Sequence, residues 1–127
     1  MRLEPYVFFE GRCDEALEFY RKALGAEVTM LMRYKDNPET GMNPPGAEDK
    51  VMHASVRIGD TTMMVSDGLC GGHPAFQGFA LSLTASDEAE AERVFAALSE
   101  GGQVRMPLGK TFFSPRFGIL WMVLVAA

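Results

Sequence analysis

Hydrophobic and polar positions change period several times along the chain, and each change marks an element. Pro5–Glu10 (PYVFFE) is aromatic and β-branched and closes on Gly11, which predicts a first strand. From Cys13 to Leu24 the period becomes helical. Ala16, Leu17, Tyr20, Ala23 and Leu24 share one stripe, with Glu15, Glu18, Arg21 and Lys22 mostly opposite. Asp14 and Glu15 suit the positive end of that helix, and Gly25 suits its stop. Ala26–Tyr34 alternates with period two, placing Val28, Met30, Met32 and Tyr34 on one face and Thr29, Leu31 and Arg33 on the other. Lys35–Asp49, with three prolines and two glycines, reads as a long loop of the kind that is often mobile and sometimes a lid.

Val51–Ile58 alternates again. Met52, Ala54, Val56 and Ile58 form the face expected beneath a helix, and Val51, His53, Ser55 and Arg57 form a face that is partly wet or lines a cavity. Thr61–Asp67 returns across Gly59-Asp60 as its hairpin partner. Gly68–Gly78 is a connector with four glycines and a proline. A phosphate-cradling loop needs a helix directly after its glycines, whereas here a strand, Phe79–Thr84, is expected.

Ser86-Asp87-Glu88 caps a second helix, Glu90 completes a capping box, and Ala91, Val94, Phe95 and Leu98 form its stripe before Gly101-Gly102. Gln103–Pro107 and Lys110–Phe113 read as short strands or one broken strand, and Gly118–Val125 as an apolar last strand containing the only tryptophan, Trp121.

The order is β-α-β-β-β followed by β-α-β-β, so a strand–helix–strand pattern recurs after about 75 residues. This predicts an α+β fold of two similar modules in a single domain, residues 1–127: module one over about 1–68, a connector over about 68–78, and module two over about 79–127. A one-sided sheet with one helix is too little to bury a core, so the modules are expected to pair, within the chain and across a dimer.

Composition narrows the class. A chain of 127 residues with 47% hydrophobic content can bury a core. No apolar run approaches the roughly 20 residues that span a bilayer, and the N-terminus lacks a signal-peptide layout, so a soluble cytoplasmic protein without a membrane partner is expected. A net charge of −5 with scattered Lys and Arg argues against nucleic acid. Cys13 and Cys70 have no metal-like spacing and read as structural thiols.

Few residues remain for chemistry. His53 can serve as a general base or proton donor, with Asp67 orienting it. The plainer reading is a hydrogen-bonded strand histidine and an aspartate capping the turn before Gly68. His73, in Gly-Gly-His-Pro, is expected at the surface; a His53–His73–Asp67 metal site matches no known ligand spacing. Arg12, Arg57, Lys110 and Arg116 are candidates to neutralise an anionic ligand, against a solvated role. Tyr6, Phe8, Phe79, Phe112 and Trp121 are candidates to line an apolar cavity, against a core role. Nine methionines suit adaptable packing or a plastic pocket.

Several segments together carry a resemblance: PYVFFEGRCDEALEFYRKALGAEV, VMHASVRIGDTTMMVSD, GFALSL and FGILWMV. They resemble, in order and over nearly the whole chain, the PhnB-like group of the vicinal-oxygen-chelate superfamily, which includes glyoxalase I, extradiol dioxygenases and bleomycin-resistance proteins. The resemblance implies paired βαβββ modules forming a curved mixed sheet around a cavity, usually in a homodimer. Metal-dependent members carry His, Gln or Glu on the first and last strands of each module. Those positions here fall on Pro5 or Tyr6, Met64, Phe79 and Met122, which do not suit a divalent ion. Thr111-Phe112-Phe113 reaches Phe117-Gly118 through only three residues, so the pocket wall is expected to be shorter than in relatives. Members are also often labelled ubiquinone-pathway methyltransferases, but no Gly-rich loop for S-adenosylmethionine is present.

The function expected is binding of a small, anionic or aromatic metabolite in a metal-free cavity, with no cofactor. Two alternatives stay open: a lyase, isomerase or dioxygenase of the superfamily with a metal or an altered site around His53, and a drug-sequestering resistance-type binder.

Overall fold

The computed structural model describes residues 1–71, 76–100, 102–120 and 123–126, with backbone only at 40 and 123–126. The chain divides into two units, Met1–Pro74 and Ala75–Ala127.

In the first unit, β1 (Tyr6–Phe8), α1 (Cys13–Leu24), β2 (Glu27–Arg33), β3 (Val51–Ile58) and β4 (Thr61–Ser66) build a sheet in the order β1-β4-β3-β2. β1 runs parallel to β4, and the other pairs are antiparallel. The second unit repeats this plan with β5 (Leu81–Thr84), α2 (Glu88–Ser99), β6 (Val104–Gly109), β7 (Phe117–Leu120) and β8 (Val123–Ala126), in the order β5-β8-β7-β6. β5 is parallel to β8. Both units are therefore complete βαβββ modules.

The core of each unit follows from its periodicities. Cys13, Leu17 and Ala23 of α1 are buried, as are Val7, Ala54, Val56 and Val65 of the sheet. In the second unit Ala91, Val94, Phe95 and Leu98 of α2 are buried, as its capping box and stripe predict. Asp87 accepts the Glu90 backbone N–H at 2.8 Å, and Glu90 accepts the Ser86 backbone N–H at 2.6 Å.

Four expectations are corrected. Lys110–Phe113 is not a strand: β6 ends at Gly109, and a tight turn follows in which Ser114 N donates to Thr111 Oγ1 at 3.0 Å and Thr111 N to Ser114 O at 2.9 Å. The run Gly118–Val125 is not one strand. β7 pairs antiparallel with β8, Leu120 opposite Val123, because a continuous apolar run carries no mark of where it folds back. β5 starts at Leu81, leaving Phe79 outside it.

The fourth correction concerns β2. A register shift between Val28 and Met30 sets Val28 opposite buried Val56, while Met30 and Met32 face Ser55 and His53. Directly opposed residues share a face, so Val28 leaves the methionine face. Tyr34 leaves the strand altogether for a short 3₁₀ turn, Tyr34–Asp36.

The loop after β2 carries its own bonding. Asn37 Nδ2 donates to Asn43 Oδ1 at 2.9 Å, Asn43 Nδ2 to Tyr34 O at 2.8 Å, and Lys35 N to Glu48 O at 3.0 Å. Tyr34 and Ala47 are buried, and the Tyr34 hydroxyl donates to the Gly68 carbonyl.

Candidate functional site

The register of the first sheet decides which side chains share the face opposite the one buried with α1. Tyr6 lies beside Met64 and Phe8 beside Ser66 across β1 and β4. Ser55 opposes Met64, and Arg57 opposes Thr62, across β3 and β4. Met30, Met32 and Glu27 oppose Ser55, His53 and Arg57 across β2 and β3. Val7, Ala54, Val56 and Val65 take the other face and are buried with α1. The result is an aromatic and methionine surface that includes one histidine.

Tyr6 and Phe8 are 43% and 45% exposed, high for aromatic strand residues. Their rings stack, with centroids 4.7 Å apart and planes 13° from parallel. His53 meets the Tyr6 ring edge-on at 5.4 Å, and the Tyr6 hydroxyl lies 2.9 Å from His53 Nδ1. Arg57 forms an ion pair with Glu27 at the far end of the same face.

Asp67 does not orient His53. Its side chain is fully buried at the end of β4, where Oδ1 accepts the backbone N–H of Gly11 at 2.9 Å and of Cys13 at 2.8 Å. Oδ2 accepts the backbone N–H of Val51 at 2.8 Å. The first N–H groups of a helix have no acceptor within it, and Arg12, the N-cap of α1, offers none from its side chain. Asp67 supplies that acceptor from another strand, and its negative charge sits at the positive end of the helix.

Burial pushes the Cys13 thiol up to about 12, with the nearby Asp67 charge adding to the effect. The Cys70 thiol is raised by burial and then by Asp67. Neither is an activated nucleophile. Arg33 donates to both Asp14 oxygens, at 2.9 and 3.0 Å, and holds that carboxyl below its usual range.

The other candidates lie elsewhere or are engaged. Arg12 pairs with Glu15 at 2.7 Å. In the second unit, Arg116 Nε donates to Glu92 at 3.0 Å, and its guanidinium lies 3.8 Å from Glu88, which ties the 110–116 turn to α2. Phe112 is fully exposed, its ring edge-on to Phe113 at 5.1 Å, and Phe113 meets Phe117 at 4.9 Å. Lys110 and Phe79 are exposed. Trp121, Met122 and His73 lie outside the described residues.

Of the positions that the resemblance matched to metal ligands, Pro5 or Tyr6 and Met64, the sheet sets Tyr6 and Met64 side by side. A phenol already bonded to His53 and a thioether do not suit a hard or borderline divalent ion, and Phe79 has no donor atom. Among the described residues no group of three His, Cys, Asp or Glu side chains is placed to hold a metal.

Met30 and Met32 of this face were not among the residues that the sequence reading named for binding, whereas Ser55 was already placed beside His53 and Met64 at a position matched to a metal ligand. Their signal was the alternation of β2 and β3, but only the pairing register shows that they surround His53.

Comparison with known proteins agrees with this architecture. A family model described as 3-demethylubiquinone-9 3-methyltransferase matches residues 1–124. Protein YjdN of Escherichia coli is 30% identical over 97% of this chain and 94% of its own length. The crystal structure of protein PA1353 from Pseudomonas aeruginosa superimposes with a TM-score of 0.83 at 35% identity, covering 99% of this chain and 95% of that one. A putative 3-demethylubiquinone-9 3-methyltransferase, PhnB protein, from Bacillus cereus gives a TM-score of 0.80 at 29% identity, over 99% and 97% of the two chains. A lactoylglutathione lyase from Agrobacterium tumefaciens shares the fold at 15% identity, with a TM-score of 0.54 over 99% and 92%.

Proposed function

This chain belongs to the family described as 3-demethylubiquinone-9 3-methyltransferase, as a PhnB-like protein of glyoxalase-like fold, and from that premise we propose that it binds a small apolar or aromatic molecule on the Tyr6–Phe8–His53 face without a metal ion. The observation that carries the reading is the half-exposed Tyr6–Phe8 stack, with Tyr6 hydrogen-bonded to His53. An apolar surface with one or two directed polar atoms is the usual composition of a small-ligand site. Met30, Met32 and Met64 add adaptable walls.

We read the family description as naming the family and not as carrying its activity to this chain. Methyl transfer from S-adenosylmethionine on an α/β fold uses a Gly-rich strand-to-helix turn that approaches the cofactor closely. Here the turn before α1 has one glycine and is filled by the Asp67 carboxylate, and Ala85-Ser86-Asp87 before α2 has none. Titration calorimetry against metabolite and metal panels, with native mass spectrometry, tests the proposal. A tightly held stoichiometric divalent ion refutes the metal-free reading.

A second reading is an altered-site lyase or isomerase that uses His53 for proton transfer, favoured by the Tyr6–His53 hydrogen bond. Loss of turnover in His53→Ala with the fold intact separates it from plain binding. The protein is further proposed to act as a cytoplasmic homodimer. β2 is an edge strand of its sheet, and its Val28 and Leu31, which oppose Val56 and Ala54 away from the His53 face, are exposed, a surface that a second copy would cover. Light scattering across a dilution series measures the dimer directly.

A further inference from the structure

We infer that the ligand of this face presents a neutral hydrogen-bond acceptor, a ketone or amide carbonyl on a flat apolar body, to His53 Nε2–H. The inference rests on the binding role proposed above and adds the polarity and charge of the bound group. A phenol hydroxyl is a far better donor than acceptor, and neutral imidazole has one nitrogen of each kind. The 2.9 Å contact between the Tyr6 hydroxyl and Nδ1 fits the hydroxyl as donor and Nδ1 as acceptor, an arrangement that puts the ring proton on Nε2. No described residue forms a hydrogen bond to Nε2, and the ring is only partly buried. The sheet therefore offers a directed donor beside the Tyr6–Phe8 stack.

The charge of the bound group follows from a separate observation. Arg57, the cation that the register puts on this face, is paired with Glu27. Arg33, next along β2 from Met32, is bonded to Asp14 of α1 instead. Neither has charge to spare for a carboxylate or phosphate. A single imidazole N–H matches a carbonyl oxygen, and a cationic donor such as an amine would meet Nε2–H proton to proton.

The test uses the full chain with 13C-methyl methionine and 15N-histidine labels, titrated with acetophenone, toluene, benzoate and benzylamine. Long-range 15N spectra of the free protein are expected to show His53 as the Nε2–H tautomer with Nδ1 accepting. Tyr6→Phe is expected to remove the Nδ1 hydrogen-bond shift while the methionine spectrum keeps its dispersion. Acetophenone is expected to move the Met30, Met32 and Met64 methyl signals and His53 Nε2, and to bind about fivefold more tightly than toluene, the effect of one neutral hydrogen bond. His53→Phe is expected to abolish that difference between acetophenone and toluene.

An Nδ1–H tautomer in the free protein overturns the inference. So does benzoate or benzylamine binding more tightly than acetophenone, or toluene matching it. If toluene binds and acetophenone gains nothing, the site stands and the acceptor rule falls. Silence from all four rings removes the site reading as well.

Discussion

Asp67 Oδ1 accepts the backbone N–H of Cys13 at 2.8 Å, so a carboxylate at the end of β4 caps a helix that begins 54 positions earlier. The same side chain reaches Gly11 and Val51, joining the β1–α1 turn and the start of β3 to one buried group. Removing it leaves three backbone N–H groups without an acceptor. Asp67→Ala is expected to cost about 3 kcal/mol. Asp67→Asn, which turns one acceptor into a donor, is expected to cost about 2 kcal/mol. Urea unfolding measures both, and a loss below roughly 0.5 kcal/mol in either would show that the cap is not holding the module.

Cys13 lies beside that carboxylate, and its behaviour follows from the same burial. With a folded-state value of about 12 against an ordinary 9.0, the thiol stays protonated where a free cysteine would ionise. Native Cys13 should react with iodoacetamide at pH 8 at least roughly a hundredfold more slowly than the unfolded chain. Linkage gives the sign at high pH. Above 9 the unfolded thiol loses its proton and the folded one keeps it, so stability falls as pH rises from 9 toward 12. Cys13→Ala is expected to flatten that limb of the stability curve.

Asp14 gives the opposite limb. Arg33 lowers its folded value below 3.8, so the stabilisation is complete above about pH 4 and is lost as pH falls through the folded value. The carboxylate is more than half exposed, and solvent screening keeps the contribution below about 1 kcal/mol. Stability of Asp14→Asn relative to the parent should therefore differ at pH 6, and the difference should shrink as pH falls below 3.8. A difference that persists undiminished in acid would assign the effect to something other than the ion pair.

Gly118 offers a packing test in the second unit. A Cβ there would stand 2.6 Å from Phe95 Cε2 and 3.0 Å from the Leu108 Cα. The ring can shift, but the backbone of β6 cannot do so cheaply, so Gly118→Ala is expected to cost about 2 kcal/mol. Calorimetry reads this as a lower Tm.

Gly68 offers the matching test beside the candidate site. Its φ is +56°, and a Cβ would meet Glu10 Oε1 at 2.8 Å and Phe8 Cδ1 at 3.2 Å. Gly68→Ala is expected to destabilise by about 1–2 kcal/mol. It should also shift the Phe8 ring signals, which links the turn to the aromatic face. Unmoved Phe8 resonances would separate the two.

Local patterning determined much of this protein. Helical stripes, capping residues and period-two runs placed α1, α2 and most strands within a few residues, and their order already implied two similar modules, the βαβββ plan of both being what the resemblance implied. These signals depend on neighbours a few positions apart, so a linear chain displays them. The same reading placed Tyr6, Phe8 and His53 among the residues worth naming, because aromatic side chains and a lone histidine on alternating strands are unusual.

Tertiary structure decided which of those residues meet. Tyr6 and His53 are 47 positions apart and touch only because β4 lies between β1 and β3. Asp67, one strand-end away, is taken by helix α1, whose unpaired N–H groups need a buried acceptor that Arg12 cannot provide. The bulge after Val28 exchanges one face of β2 for the other, and the fold-back between Leu120 and Val123 divides an apolar run that no periodicity divides. Pairing register and the demand of buried backbone groups for partners are properties of the assembled sheet, and they turned a suspected His53–Asp67 pair into a Tyr6–His53 pair.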